Sequence, residues 1–150
     1  MSFPIATVAV PPGRIGVAPL PRDEGTVDAI VDWGAALVLS MTEAAEMPPG
    51  LGARIAGRGI AWRHLPVRDF GGPDGATAAA WPGAEAACLS VLRTGGGVLV
   101  HCRGGQGRSG MVALRLMVAM GESPDVALRR LRAVRPGAVE TDAQRRWAAG

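Results

Sequence analysis

The stretch VLVHCRGGQGRSG, residues 98–110, decides how this chain is expected to fold. Three apolar residues lead into a His-Cys pair, and a glycine-rich turn follows before Arg108 and Ser109. From Ser109 to Met120 the residues are apolar on nearly every side except at Arg115, and a helix without a polar face lies in a core. The pattern therefore predicts a central strand, a tight turn and a buried helix.

The predicted turn has the properties of an anion site. A strand, a glycine turn and a helix together aim a row of backbone N–H groups and the positive end of a helix dipole at one point. Phosphate is the anion we expect there, because the planar guanidinium of Arg108 can hold two phosphate oxygens at once. The residues expected to bind phosphate are Arg103, Gly104, Gly105, Gln106, Gly107 and Arg108.

The cysteine at the mouth of this turn is the candidate nucleophile. A positive field favours the thiolate, which is the reactive form, so Cys102 is expected to attack a bound phosphoryl group. Ser109 is expected to donate a hydrogen bond to the sulfur. His101 is expected to be buried at the end of the strand and to orient the turn rather than to transfer protons.

Strands and helices alternate along the rest of the chain. This alternation predicts an α/β fold in which helices flank a mainly parallel sheet of four or five strands, and we expect residues 1–150 to form a single domain. The predicted strands are residues 5–10, 14–20, 35–40, 59–67 and 98–100. The predicted helices are residues 25–33, a short helix that begins with residues 42–47, a helix within 76–93 whose regular part can begin as late as Pro82, residues 109–120, residues 124–134 and a short helix that begins near Thr141.

Composition limits the possible functions. All 16 basic residues are arginine, and the formal net charge of +3 is too small to indicate a nucleic-acid partner, so a solvated helix face explains the C-terminal arginines. No run approaches the roughly 18 apolar residues of a membrane helix, so we expect a cytoplasmic protein without a membrane segment. Two cysteines make no disulfide framework, and no cluster has metal-ligand spacing, so neither metal nor cofactor is expected.

Three segments together resemble a known family. HCRGGQGRSG, residues 101–110, resembles the phosphate loop of the cysteine-dependent protein tyrosine and dual-specificity phosphatases. HLPVRDFGGPD, residues 64–74, is similar to the segment that carries the general acid of that superfamily, and RPGAVETDAQ, residues 135–144, to the segment that positions the hydrolytic water. From about Ala35 onward, the chain resembles the compact phosphatases related to the cyclin-dependent-kinase-inhibitor-associated phosphatase, bacterial relatives included.

The resemblance implies an enzyme that hydrolyses phosphoric monoesters through a cysteinyl-phosphate intermediate. Its substrate would be a phosphorylated protein or a small phosphomonoester. The resemblance assigns the general acid to Asp69, with Asp74 in reserve, and the positioning of water to Glu140 or Gln144. Asp69 also follows a predicted strand whose carboxyl end, in a parallel sheet, lies on the same side as the glycine-rich turn.

Several residues and functions keep a second interpretation. Phe70 and Trp62 can line the entrance of the pocket, although core packing is the commoner role for both. Cys88 is either a small core residue or a resolving thiol that pairs with Cys102 under oxidation. The alternative functions are hydrolysis of phosphoinositides or other non-protein phosphate monoesters, and sulfur transfer of the rhodanese type.

Overall fold

A computed structural model describes residues 3–150 of the chain and shows one five-stranded sheet flanked by helices. The strands are β1 Ala6–Val10, β2 Gly13–Ala18, β3 Ala35–Ser40, β4 Ala61–His64 and β5 Gly97–His101. The helices are α1 Glu24–Trp33, α2 Leu51–Ala56, α3 Gly75–Arg93, α4 Gly107–Ala119, α5 Pro124–Val134 and α6 Asp142–Ala149, with a 3₁₀ turn at Ala44–Glu46.

The order of the strands places β5 in the centre of the sheet. The order is β1-β2-β5-β3-β4, and only the β1-β2 hairpin is antiparallel. His101 at the end of β5 pairs with Ala18 of β2 and with Ser40 of β3, so the three strands end at the same level. This confirms the predicted mainly parallel α/β sheet and brings the segments that follow its strands to one edge, where open α/β sheets keep their sites.

Both faces of the central strand are buried. Val98 and Val100 of β5 point into the core shared with α3, α4, α5 and α6, whereas Leu99 points into the smaller core formed with α1 and α2. All three side chains are fully buried. A strand covered on both faces has a continuous apolar sequence, and this is why apolar and polar residues do not alternate along residues 98–100.

The helix expected within residues 76–93 runs without interruption from Gly75 to Arg93 and passes through Pro82. Proline removes a backbone N–H and usually ends a helix at that point. Here tertiary contacts hold the first turns, because the Thr77 hydroxyl donates to the Pro66 carbonyl at 2.8 Å and Trp81 is buried in the core. The prediction that the regular part can begin as late as Pro82 is therefore wrong.

The connection between β3 and β4 differs from the prediction. The short helix expected within residues 42–47 is only the 3₁₀ turn Ala44–Glu46. The helix α2 that follows it was not predicted, because Pro48 and Pro49 interrupt the helical pattern just before it. The 3₁₀ turn is nevertheless important, since it carries a carboxylate into the site described below.

Two strands are shorter than predicted. β2 ends at Ala18, and β4 is regular only at Ala61–His64. Pro66 has no N–H with which to continue the ladder. The chain stays extended even so, because the N–H of Val67 donates to the Met41 carbonyl at 3.1 Å. The residues after β4 therefore still run beside the end of β3.

The helices α4 and α5 form largely as expected. α4 begins two residues before Ser109, at Gly107, and lies in the core. In α5 the Ser123 hydroxyl accepts from the backbone at the N-terminus. Ala127 and Leu131 are buried, whereas Val134 at the end of the helix is 40% exposed. Among residues 3–150, none of the helices combines the length and the apolar character that crossing a membrane requires.

Candidate active site

The residues that follow the parallel strands surround a cavity of about 400 Å³ at the carboxyl edge of the sheet. The phosphate loop (residues 102–108) forms its floor, and the acid loop (residues 68–73) forms one wall. The lining residues are Asp69, Phe70, Cys102, Arg103, Gly104, Gln106, Gly107 and Glu140. The structure thus brings together most of the residues that the sequence predicts for the site.

The thiol of Cys102 lies at the floor of this cavity. Its Sγ accepts a hydrogen bond from the N–H of Gly105 at 3.3 Å and lies 3.1 Å from the hydroxyl oxygen of Ser109. Gly105 has a φ of 74°, and a Cβ there would come within 2.8 Å of the Ala18 backbone. Only glycine fits this close turn, which is what points the Gly105 N–H at the sulfur.

His101 is fully buried behind the sulfur and holds the loop through its ring. The Trp62 indole N–H donates to the Ser40 hydroxyl at 2.8 Å, so that hydroxyl can donate in turn to His101 Nε2, 2.6 Å away. The other ring nitrogen, Nδ1, then carries the proton and donates to the Cys102 carbonyl at 3.2 Å. Burial lowers the pKa of His101 to about 4, so the ring is neutral near pH 7.

Trp62 is therefore part of the support and does not line the entrance. Its indole packs against Gly52 of α2, where an added Cβ would lie 2.5 Å from the ring. It also stacks on His64, with ring centroids 5.6 Å apart. Its contact with Ser40 connects this packing to His101 and through it to the phosphate loop.

The guanidinium of Arg108 is buried beside the cavity-lining Asp69, and only 1% of the residue is exposed. Its Nη1 and Nη2 donate to the two carboxylate oxygens of Glu46 at 2.8 and 3.0 Å, and Nη1 also donates to the Val67 carbonyl at 2.9 Å. Among residues 3–150 its Nε is buried without a hydrogen-bond partner. The described part of the protein thus leaves one N–H of this cation without a partner, although Arg108 itself is not among the residues that line the cavity.

Glu46 is a firmly held site residue that the sequence pattern did not predict. The hydrogen bonds from Arg108 lower the pKa of Glu46 below its usual value. Glu46 lies in the 3₁₀ turn after β3, where its carboxylate also accepts from the N–H of Glu43 at 2.8 Å. The spacing of Glu43 and Glu46, which forms a capping box directly after a buried strand, is the signal that could have found it.

The outer side of the phosphate loop is held by Arg135, the residue that follows α5. Arg135 donates from Nε to the Gly105 carbonyl at 2.8 Å and from Nη2 to the Gly104 carbonyl at 2.9 Å. Arg132 likewise donates to the carbonyls of Ala138 and Val139, both at 2.9 Å. These side chains stabilise loops of the site, so a merely solvated helix face does not explain all of the C-terminal arginines.

The acid loop presents its carboxylate to the cavity. The side chain of Asp69 is 49% exposed, and its Oδ1 lies 3.6 Å from Arg108 Nη2. Phe70 is 59% exposed with a φ of 62°, a conformation that is unusual for a large side chain. The expectation that Phe70 packs in the core is therefore wrong. Asp74, the reserve acid, lies at the N-terminus of α3 and does not line the cavity.

The two candidates for positioning water occupy different environments. Glu140 lines the cavity, with its carboxylate so close to Gly107 that a Cβ there would overlap with Oε1. Gln144 is fully buried in α6, behind the cavity. Its side-chain oxygen accepts from the backbone N–H of Glu140 at 2.9 Å and of Thr141 at 3.3 Å. Only Glu140 therefore faces the space above Cys102.

Cys88 lies outside the site. It is fully buried in α3, and burial raises the pKa of its thiol to about 12. A thiol that stays protonated is a poor partner for thiol exchange, and this favours the small core residue over the resolving thiol. In the described part of the chain, no group of three or more His, Cys, Asp and Glu side chains is arranged to hold a metal ion.

Known proteins with similar sequences or folds are phosphatases or proteins named for kinase regulation. Cyclin-dependent kinase inhibitor 3 is 40% identical over 88 residues in Rattus norvegicus and 37% identical over 86 residues in Homo sapiens. Each match covers 55% of this chain but only 39% of the length of the relative.

Two solved structures share the fold over nearly the whole chain. Tk-PTP in its active form is 31% identical, with a TM-score of 0.78 over 95% of this chain and 92% of that chain. Kinase associated phosphatase, with serine in place of its catalytic-site cysteine, has a TM-score of 0.83 over 99% of this chain and 93% of that chain. At 22% identity, the latter similarity shows the fold alone.

A family model matches along almost all of the chain. The match runs over residues 6–147, from the first residue of β1 to the last turn of α6. It therefore includes the phosphate loop, the acid loop and Glu140 together. The model is described as "PTP-SAK: Swiss Army Knife protein, DSP-PTPase phosphatase domain", and the chain belongs to this family.

Proposed function

We propose that this protein is a phosphoric monoester hydrolase of the protein-tyrosine and dual-specificity type, with residues 1–150 as one catalytic domain. The observation that carries the proposal is the position of Cys102 Sγ at the floor of the cavity, beside the Gly105 N–H and the Ser109 hydroxyl. Arg108 supplies a buried cation next to the cavity, with its Nη2 3.6 Å from Oδ1 of the cavity-lining Asp69. A nucleophile and an anion site thus coincide.

In the first step Cys102 is the nucleophile. The N–H groups of the phosphate loop and the Arg108 guanidinium bind the phosphoryl oxygens, and the thiolate attacks phosphorus as the bond to the ester oxygen breaks. Asp69 donates its proton to the leaving oxygen, so that an alcohol or a phenol leaves rather than an anion. The exposed position of Asp69 at the cavity wall supports this assignment.

In the second step water hydrolyses the cysteinyl phosphate. A water oxygen attacks phosphorus, the sulfur–phosphorus bond breaks, and Ser109 donates a hydrogen bond to the departing thiolate. Glu140 orients this water, because it is the candidate whose carboxylate faces the cavity. Asp69, left as a carboxylate after the first step, accepts the proton of the water. Inorganic phosphate then leaves and the enzyme is regenerated.

The proposed substrate is a phosphorylated protein, with aryl esters such as phosphotyrosine among its phosphorylated groups. Phe70 at the wall of the cavity supports this class, since an exposed aromatic side chain beside the acid can pack against the ring of an aryl phosphate. The name of one matched relative, cyclin-dependent kinase inhibitor 3, refers to a kinase and agrees with a phosphoprotein substrate. Both cysteines are free thiols, which supports a cytoplasmic location.

A panel of substrates in a metal-free buffer with a chelator tests the proposal. It contains phosphotyrosine and phosphoserine peptides, a phosphoinositide and thiosulfate, each assayed with the wild type and with Cys102→Ser. We expect phosphate release from a phosphotyrosine peptide that the chelator does not affect and that the serine variant lacks. Preferred release from the phosphoinositide would favour the lipid alternative, and thiosulfate turnover would favour sulfur transfer.

A further inference from the structure

The acid loop has few connections to the rest of the protein. Within the loop, the N–H of Gly71 donates to the Arg68 carbonyl at 2.8 Å and closes a turn. Within residues 3–150, Asp69 accepts a hydrogen bond only from the adjacent Phe70 N–H, at 3.0 Å, and its ion pair with Arg108 is long at 3.6 Å. Over residues 3–150, one hydrogen bond joins the loop to another element, and Gln144 makes it.

Gln144 reaches the acid loop from α6. Its side-chain Nε2 donates to the Gly71 carbonyl at 3.1 Å. The orientation of this amide is fixed, because two backbone N–H groups, those of Glu140 and Thr141, require the amide oxygen as acceptor. Both lone pairs of that oxygen are used, so it cannot accept a hydrogen bond from an attacking water molecule.

We propose that Gln144 is a positioning residue that holds the acid loop over the cavity and so acts on proton transfer to the leaving group, not on the hydrolytic water. Gly71 is two residues from Asp69, across the left-handed turn at Phe70. Fixing its carbonyl therefore fixes the direction in which Asp69 points. This inference rests on the proposed function, and it separates the roles of Gln144 and Glu140, which the sequence left together.

The variant Gln144→Glu keeps the shape of the side chain but replaces the N–H donor with a second carboxylate oxygen at a fully buried position. A glutamate at this position keeps an oxygen for the two backbone N–H groups and forms the usual Thr-x-x-Glu capping box with Thr141. As a carboxylate it cannot donate to the Gly71 carbonyl, so the comparison is repeated at increasing pH, where the carboxylate form is favoured. The matched control is Thr141→Val, which removes the hydroxyl cap of α6 but leaves the Gln144 amide in place.

Two esters separate proton transfer from the other steps. With phenyl phosphate, whose leaving group has a pKa of about 10, we expect Gln144→Glu to lower kcat/KM about tenfold or more. With an ester of a much more acidic phenol, the loss should be within about twofold, because such a leaving group needs no proton. In a protein that already carries Asp69→Asn, adding Gln144→Glu should lower kcat/KM no further. Both residues act on the same proton transfer, so the effects of the two substitutions are not additive.

A second measurement does not depend on turnover. Backbone hydrogen exchange in residues 68–72 should become faster in Gln144→Glu and stay unchanged in Thr141→Val. If Gln144→Glu leaves this exchange unchanged, the inference is wrong whether or not the protein is a phosphatase. If exchange rises but the wild type releases no phosphate from any monoester, then the proposed function fails while the structural link stands.

A burst of released phenol would identify the competing role of Gln144, which is to assist hydrolysis of the cysteinyl phosphate. If Gln144→Glu lowers turnover of both esters equally and raises a burst of released phenol, then Gln144 acts on breakdown of the intermediate and the proposal is overturned. We expect that burst from Glu140→Ala instead, because Glu140 faces the cavity. In Gln144→Glu we expect a slower first step with phenyl phosphate and therefore no burst.

Discussion

The phosphate loop and the acid loop face each other across one cavity, yet they are built in opposite ways. The phosphate loop is held by Ser109 from below, by Arg135 from outside and by the Leu20 N–H, which donates to the Arg103 carbonyl at 3.1 Å. The acid loop has exposed side chains and a single hydrogen bond to another element in the described part of the chain.

The difference corresponds to two different tasks. Stabilising charge on a phosphoryl group requires donors that are already in place, because any reorganisation during the reaction would lower the benefit. Delivering a proton requires a group that can make room for a substrate and then return. We call the phosphate loop with its supporting residues the rigid half of the site, and the acid loop the exposed half. We therefore expect substitutions in the rigid half to reduce turnover of every ester, whereas the loss caused by substitutions in the exposed half should depend on the leaving group.

Arg108→Lys should have the largest effect on turnover among the cavity variants that keep Cys102. A lysine ammonium cannot occupy both Glu46 oxygens and still present a planar fork to phosphate. We expect kcat/KM to fall on the order of 10²- to 10³-fold for every monoester, the usual cost of losing one fixed donor to developing charge. A loss that varies with the leaving group would contradict the assignment of this residue to the rigid half.

Asp69→Asn should show the opposite dependence. With phenyl phosphate we expect a loss on the order of 10²-fold, as is usual for general acid catalysis, and a flatter alkaline limb of the pH–rate profile. With an ester of a much more acidic phenol, the loss should shrink. Asp74→Asn is the control, because Asp74 does not line the cavity. Equal losses on both esters, or a larger effect of the control, would move the role away from Asp69.

Glu46→Gln should have a smaller effect, again independent of the leaving group. An amide keeps one acceptor for Arg108 but loses the second oxygen and the charge, so the guanidinium becomes less precisely placed. We expect roughly tenfold weaker binding of vanadate and a similar loss of kcat. Unchanged vanadate affinity would show that Glu46 supports only the fold.

The same variant also tests a pH effect. Arg108 holds the pKa of Glu46 below its ordinary value of 4.5, so the folded protein keeps this carboxylate charged where the unfolded chain protonates it. The ion pair therefore stabilises the fold above about pH 4.5, and this stability is lost as the pH falls further. Denaturation of the wild type and of Glu46→Gln should converge as the pH decreases through this range.

Replacing His101, as in His101→Gln, should have the smallest effect on turnover near neutral pH. The replacement should also change how the stability of the fold depends on pH. Its pKa is lowered to about 4 in the folded protein, whereas an unfolded chain protonates histidine near 6.5. Stability should therefore fall as the pH decreases from about 6.5 to 4, by up to about 3 kcal/mol. Chemical denaturation between pH 7 and pH 5 measures the slope, and His101→Gln should show a flatter one.

The sequence predicted the rigid half of the site better than the exposed half. Cys102, Arg108 and Ser109 lie within eight residues of one another, so local geometry alone places them together. Glu46 comes from a distant turn, and only the pairing of β3 with β5 brings it under Arg108. Tertiary contacts of this kind leave little trace in the local pattern of a sequence.

The errors in the fold have similar causes. α3 continues through Pro82 because Thr77 and Trp81 are held by contacts that the sequence does not reveal. Phe70 is exposed because the acid loop turns through a left-handed conformation there, which a sequence pattern assigns to glycine or asparagine before phenylalanine. In both cases tertiary structure overrides the local preference of a residue.

Trapping the intermediate tests the central claim most directly. The wild type and Glu140→Ala are mixed with phenyl phosphate, denatured within the first turnovers and analysed by peptide mass spectrometry. We expect one added phosphoryl group on Cys102, at higher occupancy in Glu140→Ala, with none on Cys88 and none in Cys102→Ser. Steady release of phosphate with Cys102 unmodified at all times, or undiminished turnover by Cys102→Ser, would contradict the proposed mechanism.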